Sequence, residues 1–283
     1  MGVDTQVFRF LLRSRATVSF ENFLMLGRQW RHVSLIELER QLRQQQFQPA
    51  EIQSALDAAR SSKFMEPVLE WLGCGKVESL DFSDYEGATF VHDMNQPIPE
   101  SLKGRYSCVL DGGTLEHVFN FPQAIKNAME MVKVGGHFLG VGPANNFTGH
   151  GFYQFSPELY RRILSTDNGY AVEEMIVCET RPHSPSYLIE DPAKMGRRIE
   201  FTNDRSTYLM VRARRVAQSE IFAVVPQQSD YAATWSPKAD GNSGHRRETL
   251  RDRAKRLPEP IKKLLRPLAP AIRPLRSSGF KKI

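Results

Sequence analysis

Residues able to do chemistry cluster in two short stretches. In VLDGGTLEHV (109–118) an apolar run breaks on Asp111, Gly112 and Gly113 and is followed at once by Glu116 and His117. Further on, NNFTGHGFYQF (145–155) sets His150 between two glycines, with Tyr153 and Gln154 close behind. A carboxylate accepts hydrogen bonds from a polar ligand, glycines let backbone approach it without a Cβ, and imidazole exchanges protons near neutral pH. Two more aspartates, Asp81 and Asp93, close apolar runs in the same way. Other chemistries find no support: there is no GxSxG elbow, no HExxH, no P-loop lysine motif and no GxGxxG. The seven histidines show no metal-ligand spacing, so no metal is expected.

The elements that must carry these residues follow from periodicity. FLML (23–26), ended by Gly27, reads as a buried strand. Ser34 and Glu37 form a capping box that opens a first helix through Leu35, Leu38 and Leu42. Pro49 opens a second through Ile52, Ala55, Leu56 and Ala59. VESLD (77–81), ATFVHD (88–93) and SCVLD (107–111) are strand-like runs, each ending on aspartate. A helix follows from its cap Asn120 to Gly135-Gly136, which should stop it, and HFLGV (137–141) is the next strand. Strand, helix, strand is a βαβ unit, with parallel strands and a right-handed crossover. The helix also argues against reading Asp111-Gly112 as a hairpin turn.

SPELYRRIL (156–164) is a capped helix, and AVEEMIVCET (171–180) and TYLMVRARR (207–215) are strands without a helical pattern between them. The intervening residues 181–206 carry three prolines and read as a loop or lid. The expected fold is therefore α/β: a Rossmann-like parallel sheet with helices on both faces and an antiparallel final strand pair.

YSCVLDGGTLEHVFNFPQAIKNAMEMVKVGGHFLGVGP resembles the second half of a class I S-adenosylmethionine-dependent methyltransferase, and the similarity in order and spacing runs from about residue 77 to 215. The resemblance implies S-adenosylmethionine as cofactor, with Asp81 on the ribose, Asp93 and Met94 on the adenine, and Asp111, Gly112 and Gly113 at the sulfonium end. Glu116 is grouped with these cofactor-binding residues. His117 and His150 are the candidate catalytic bases, and Tyr153 and Gln154 are the candidate substrate contacts. The plainer alternatives are a helix brace for His117 and an ordinary loop position for His150.

Two glycine segments compete for the loop after the first strand. Gly73-Cys74-Gly75 looks suitable, but only Lys76 separates it from VESLD, whereas a parallel crossover needs about a dozen residues or more. Gly27 leaves room for two helices and is preferred, at the cost of a degenerate glycine signature.

The formal charge of +6 is unevenly spread. Residues 245–283 hold 13 Lys or Arg against 3 Asp or Glu, a net of +10, leaving −4 for residues 1–244. Residues 1–218 are expected to form the Rossmann-like domain with an N-terminal helical elaboration. Residues 219–283 should form a basic extension, partly disordered from about 240, with Leu250, Ala254 and Leu257 at helical spacing. Peripheral contact with an anionic membrane suits such a tail. Nucleic acid does not, since stacking aromatics are nearly absent there. Three scattered cysteines and an N-terminus without an apolar leader core suggest a reducing, cytoplasmic setting. The expected function is methyl transfer to a small-molecule or glycan acceptor. The rivals are a catalytically silent methyltransferase-like subunit and a Rossmann-like enzyme using another nucleotide.

Overall fold

A computed structural model describes residues 2–195, 201–229 and 280–283. The basic segment 245–279, with its expected helix and disorder, lies outside them. In chain order the elements are β1 (Gly2–Val3), α1 (Thr5–Ser14), β2 (Asn22–Leu26), β3 (Trp30–Arg31), α2 (Leu35–Gln44), α3 (Pro49–Ser61) and α4 (Glu66–Trp71). Then come β4 (Lys76–Asp81), β5 (Phe90–Val91), β6 (Tyr106–Asp111), α5 (Phe121–Met131), β7 (Val132–Asn145) and α6 (Pro157–Ile163). The last are β8 (Tyr170–Glu179), β9 (Ser186–Ile189), α7 (Pro192–Met195), β10 (Thr207–Arg215) and β11 (Phe280–Lys282).

Nine strands form one sheet in the order β11-β9-β8-β10-β7-β6-β2-β4-β5. The strands β5, β4, β2, β6 and β7 are parallel, whereas β10 runs antiparallel to both β7 and β8. Numbered from β2, the first seven main strands stand in the order 3-2-1-4-5-7-6, so the expected antiparallel final pair is present. The chain winds outward from β2 through β4 to β5, then returns to β6 on the other side. The gap between the carboxyl ends of β2 and β6 is thus a switch point, where open α/β sheets bind ligands.

Continuous apolar runs make the central strands, because both faces of the sheet are covered. Phe23 and Met25 of β2 join one core with α1 to α4, while Leu24 and Leu26 join the other with α5 and α6. Cys108 and Leu110 against Val109 repeat this alternation in β6. No helix among the described residues is long and apolar enough to cross a membrane.

Four sequence expectations change. The first helix is α1, not the one opening at Ser34. Asp4 caps it by accepting the N–H groups of Gln6 and Val7 at 2.9 and 3.0 Å, and Phe8 and Leu11 are fully buried. ATFVHD shrinks to the two-residue β5. The segment 181–206 is not only loop, since it holds β9, which pairs with β8, and α7. Finally, α5 ends at Met131 and the two glycines lie inside β7. A Cβ on Gly136 would stand 2.8 Å from the carbonyl oxygen of Ser107, so close approach of β6 demands glycine there.

Candidate functional site

The loop after β2 is Gly27, as the crossover length requires. Its φ of +68° suits glycine, and a Cβ there would lie 2.8 Å from Thr114 Oγ1. The loop does not open a helix. Arg28, Gln29 and Trp30 lead into β3, and three helices complete the crossover to β4.

Asp81 ends β4 beside this loop. Its Oδ2 accepts the backbone N–H of Arg28 at 3.3 Å and its Oδ1 that of Phe82 at 2.7 Å. The Arg28 guanidinium donates to Glu66 Oε1 at 2.6 Å and covers the Phe64 ring at 3.9 Å. Trp30 Nε1 donates to Glu86 Oε1. The loop after β2 is therefore pinned to the segment after β4.

Gln29 was not foreseen. Almost wholly buried, it donates from Nε2 to the carbonyls of Leu26 and Gly27 at 2.7 and 3.2 Å. Its Oε1 has no partner and would stand 2.5 Å from a Cβ on Gly112. Its side chain fills the space between the two glycine segments. The signal available was only its place two residues after Gly27.

Asp111 ends β6 with no exposed surface. Its Oδ1 accepts the backbone N–H groups of Thr114 at 2.8 Å and Leu115 at 3.3 Å, which shapes the short turn Leu115–His117. Its Oδ2 has no partner. Burial raises its pKa to about 6. Thr114 Oγ1 donates to Leu26 O at 2.7 Å and so joins the β6 turn to β2. Gly27, Asp81, Gly113, Thr114 and His117 line one cleft of about 220 Å³ together with residues 28–30 and Glu86.

Behind the cleft, Glu116 is fully buried and neither carboxylate oxygen has a hydrogen-bond partner among the described residues. Burial, then the charge of Asp111, push its pKa up to about 8. Its Oε1 lies 3.6 Å from His150 Nε2 and 4.0 Å from His117 Nε2. The two imidazoles meet edge to face with centroids 4.8 Å apart. Burial, then the neighbouring His150, lower the pKa of His117, which favours the neutral base. The buried Tyr160 hydroxyl, also without a partner, has its pKa raised by burial and by the charges of Asp111 and Glu116.

The remaining expected residues hold loops or lie in the core. Asp93 accepts the backbone and side-chain N–H groups of Asn95 at 2.9 and 2.7 Å. Met94 is buried in the core, and its carbonyl accepts from Asn127 Nδ2 at 3.2 Å. Tyr153 donates to Phe119 O at 2.6 Å, and Gln154 Oε1 accepts the N–H of Phe147 at 3.0 Å. None of these four lines the cleft.

The parallel sheet with helices on both faces and the antiparallel final strand pair are those expected from the sequence. No family profile matches the sequence, and no curated protein matches it either. Among solved structures it is similar to a branched-chain polyamine synthase mutein from Thermus thermophilus bound to N4-aminopropylspermidine and 5'-methylthioadenosine, at 12% identity and a TM-score of 0.39. That match covers 80% of this chain and 61% of the synthase, so this chain spans about three fifths of its length. A second is the Burkholderia thailandensis 1,6-didemethyltoxoflavin-N1-methyltransferase, bound to its acceptor and S-adenosylhomocysteine, with 10% identity and a TM-score of 0.39 over 75% of this chain and 78% of that one. A third is the CMeT domain of the citrinin polyketide synthase, with 13% identity and a TM-score of 0.40 over 76% of this chain and 52% of that one.

Proposed function

We propose that the protein is an S-adenosylmethionine-dependent methyltransferase for a small-molecule or glycan acceptor. The observation that supports this most is the cleft at the switch point, where Gly27, Asp81 and Gly113 come together from the ends of β2, β4 and β6. The residues suit the cofactor in three respects. The positive φ of Gly27 and Gly113 sets glycine at two points of the lining, Asp81 offers a half-buried carboxylate, and Asp111 Oδ2 is a buried acceptor unpaired among the described residues. Asp81 would hold the ribose, Asp93 and Met94 the adenine, and Asp111 to Gly113 with Glu116 the sulfonium end. When bound, the cofactor supplies an electrophilic methyl group.

The chain's own residues then orient the acceptor and take its proton. His117 stands on the cleft wall, where burial and then the neighbouring His150 favour its neutral form, and it would take the proton of an acceptor hydroxyl. His150 backs it from the adjoining loop, and Tyr153 and Gln154 set the position of that loop. The net +10 of residues 245–283 suits contact with an anionic membrane carrying the acceptor.

One observation favours a second reading, a catalytically silent methyltransferase-like subunit: Gln29 fills the space beside Gly112. Calorimetric titration with S-adenosylhomocysteine separates the two. Micromolar binding, weakened about 10-fold or more in Asp81→Ala and in Asp111→Asn, supports the enzyme, since losing a hydrogen bond to a charged group costs about 1.5–3 kcal/mol. No binding to folded protein would sink it.

A further inference from the structure

Glu116 presents an unsolved electrostatic problem. Its carboxylate has no exposed surface and no donor among the described residues, and a buried charge without a partner is strongly disfavoured. The neighbouring imidazole nitrogens, at 3.6 and 4.0 Å, are too far for hydrogen bonds but face the same point. His150 Nε2 is itself buried and unpaired. One oxygen and two ring nitrogens all lie within 4.8 Å of one another.

Those separations fit a shared ion. Two ligands bonded to one metal at about 2.1 Å stand roughly 3.4 Å apart in a tetrahedron, so closure needs about 0.2 and 0.6 Å at the two glutamate–imidazole pairs and up to about 1.4 Å between the imidazoles. The scaffold around the three is fixed by backbone. The carbonyl of Glu116 accepts the N–H of Phe152 at 2.8 Å, and a Cβ on Gly151 would stand 2.8 Å from that same carbonyl. The N–H of His150 donates to Phe147 O at 3.0 Å, which holds the loop over Glu116.

We propose that Glu116, His117 and His150 bind one divalent first-row transition-metal ion, leaving open coordination positions on the side of the cleft. Two imidazoles and a carboxylate are a borderline-soft donor set, which selects zinc, cobalt or nickel over calcium, magnesium or manganese. Both imidazoles are partly exposed, at 45% for His117 and 34% for His150, and His117 forms part of the cleft wall. An oxygen of a substrate or a water would complete the ion's shell there. The site departs from the sequence expectation of no metal, because the fold joins positions 116, 117 and 150, whose spacing carries no metal pattern. It does not depend on the methyl-transfer reading.

The test uses the full chain without an affinity tag, stripped with chelator and free of nucleoside. Titration with Co²⁺ followed by visible absorption, and with Zn²⁺ by calorimetry, should give one ion per chain with micromolar or tighter affinity. His150→Ala and Glu116→Gln should each weaken binding about 100-fold while His92→Ala leaves it unchanged, with thermal melts confirming that all variants fold. No binding to wild type, or wild-type affinity in folded His150→Ala, overturns the proposal. S-adenosylhomocysteine titrated into the same samples keeps the two readings apart. Cobalt binding without nucleoside binding would sink only the methyltransferase, and the reverse result only the metal site.

Discussion

On the wall of the cleft formed by residues 27–30, 81 and 86, most polar groups are engaged, Gln29 Oε1 excepted. Asp81 uses both oxygens on backbone N–H groups, Arg28 is paired with Glu66, and Trp30 with Glu86. On the opposite wall, formed by residues 113, 114 and 117, and among the buried groups just behind it, the reverse holds. Asp111 Oδ2, both oxygens of Glu116 and His150 Nε2 have no partner, although all are buried. The first wall resembles ordinary protein interior, where polar groups are satisfied internally. The second holds polarity in reserve. Unpaired groups of that kind cost stability in the free protein and recover it when a ligand arrives, so function is to be sought on the second wall.

That contrast can be broken most forcefully at Glu116. Its pKa and that of Asp111 are raised above the ordinary values of 4.5 and 3.8. Their stabilising contribution is therefore complete below about pH 4 and is lost as pH rises through about 6 for Asp111 and about 8 for Glu116. In chelator, wild-type melting temperature should fall between pH 5 and pH 8. Glu116→Gln should flatten most of that slope and stabilise the protein at pH 8.5 by on the order of 3 kcal/mol. An unchanged slope would mean that the second wall is better satisfied than it looks.

Where groups are already satisfied, on the first wall and away from the cleft, the signs reverse, because substitution removes an interaction already made. Gly27→Ala forces a side chain into positive φ against Thr114 and should cost about 2 kcal/mol in urea unfolding, with loss of nucleoside binding. Tyr153→Phe, which deletes only the hydroxyl bonded to Phe119 O, should cost about 1 kcal/mol by the same measurement. Smallest of all, Asp57→Ala breaks an exposed pair with Arg60 on α3 and should leave stability within about 0.5 kcal/mol. A larger loss there would show that surface charge matters as much as either wall.

The sheet was legible because its buried strands are short apolar runs with aspartates or glycines at their ends, and because crossover length chose Gly27 over Gly73-Cys74-Gly75. The helix α1 was equally readable, with Asp4 as cap and Val7, Phe8, Leu11 and Leu12 on one face, but its apolar residues sit among arginines and were passed over. Strands β9 and β11 were hidden by brevity and by neighbouring prolines and charges. At the site, sequence named Asp111, Glu116, His117 and His150 separately. It could not show that 33 residues of strand, helix and loop bring His150 back to His117, nor that Gln29 fills the space beside Gly112. Such closeness is a property of tertiary approach and leaves no local pattern.

The position of β10 has a consequence in time. This strand lies between β7 and β8, both of which precede it in the chain. During synthesis the parallel half through Asn145 can assemble as it emerges, whereas β8 must wait beside a vacant lane until Arg215 has left the ribosome. Until then β7 shows an unpaired edge, the kind of surface that recruits other chains. The time for which that edge stays open is therefore set by the late arrival of nine residues, and yield in a cell should depend on how quickly they follow.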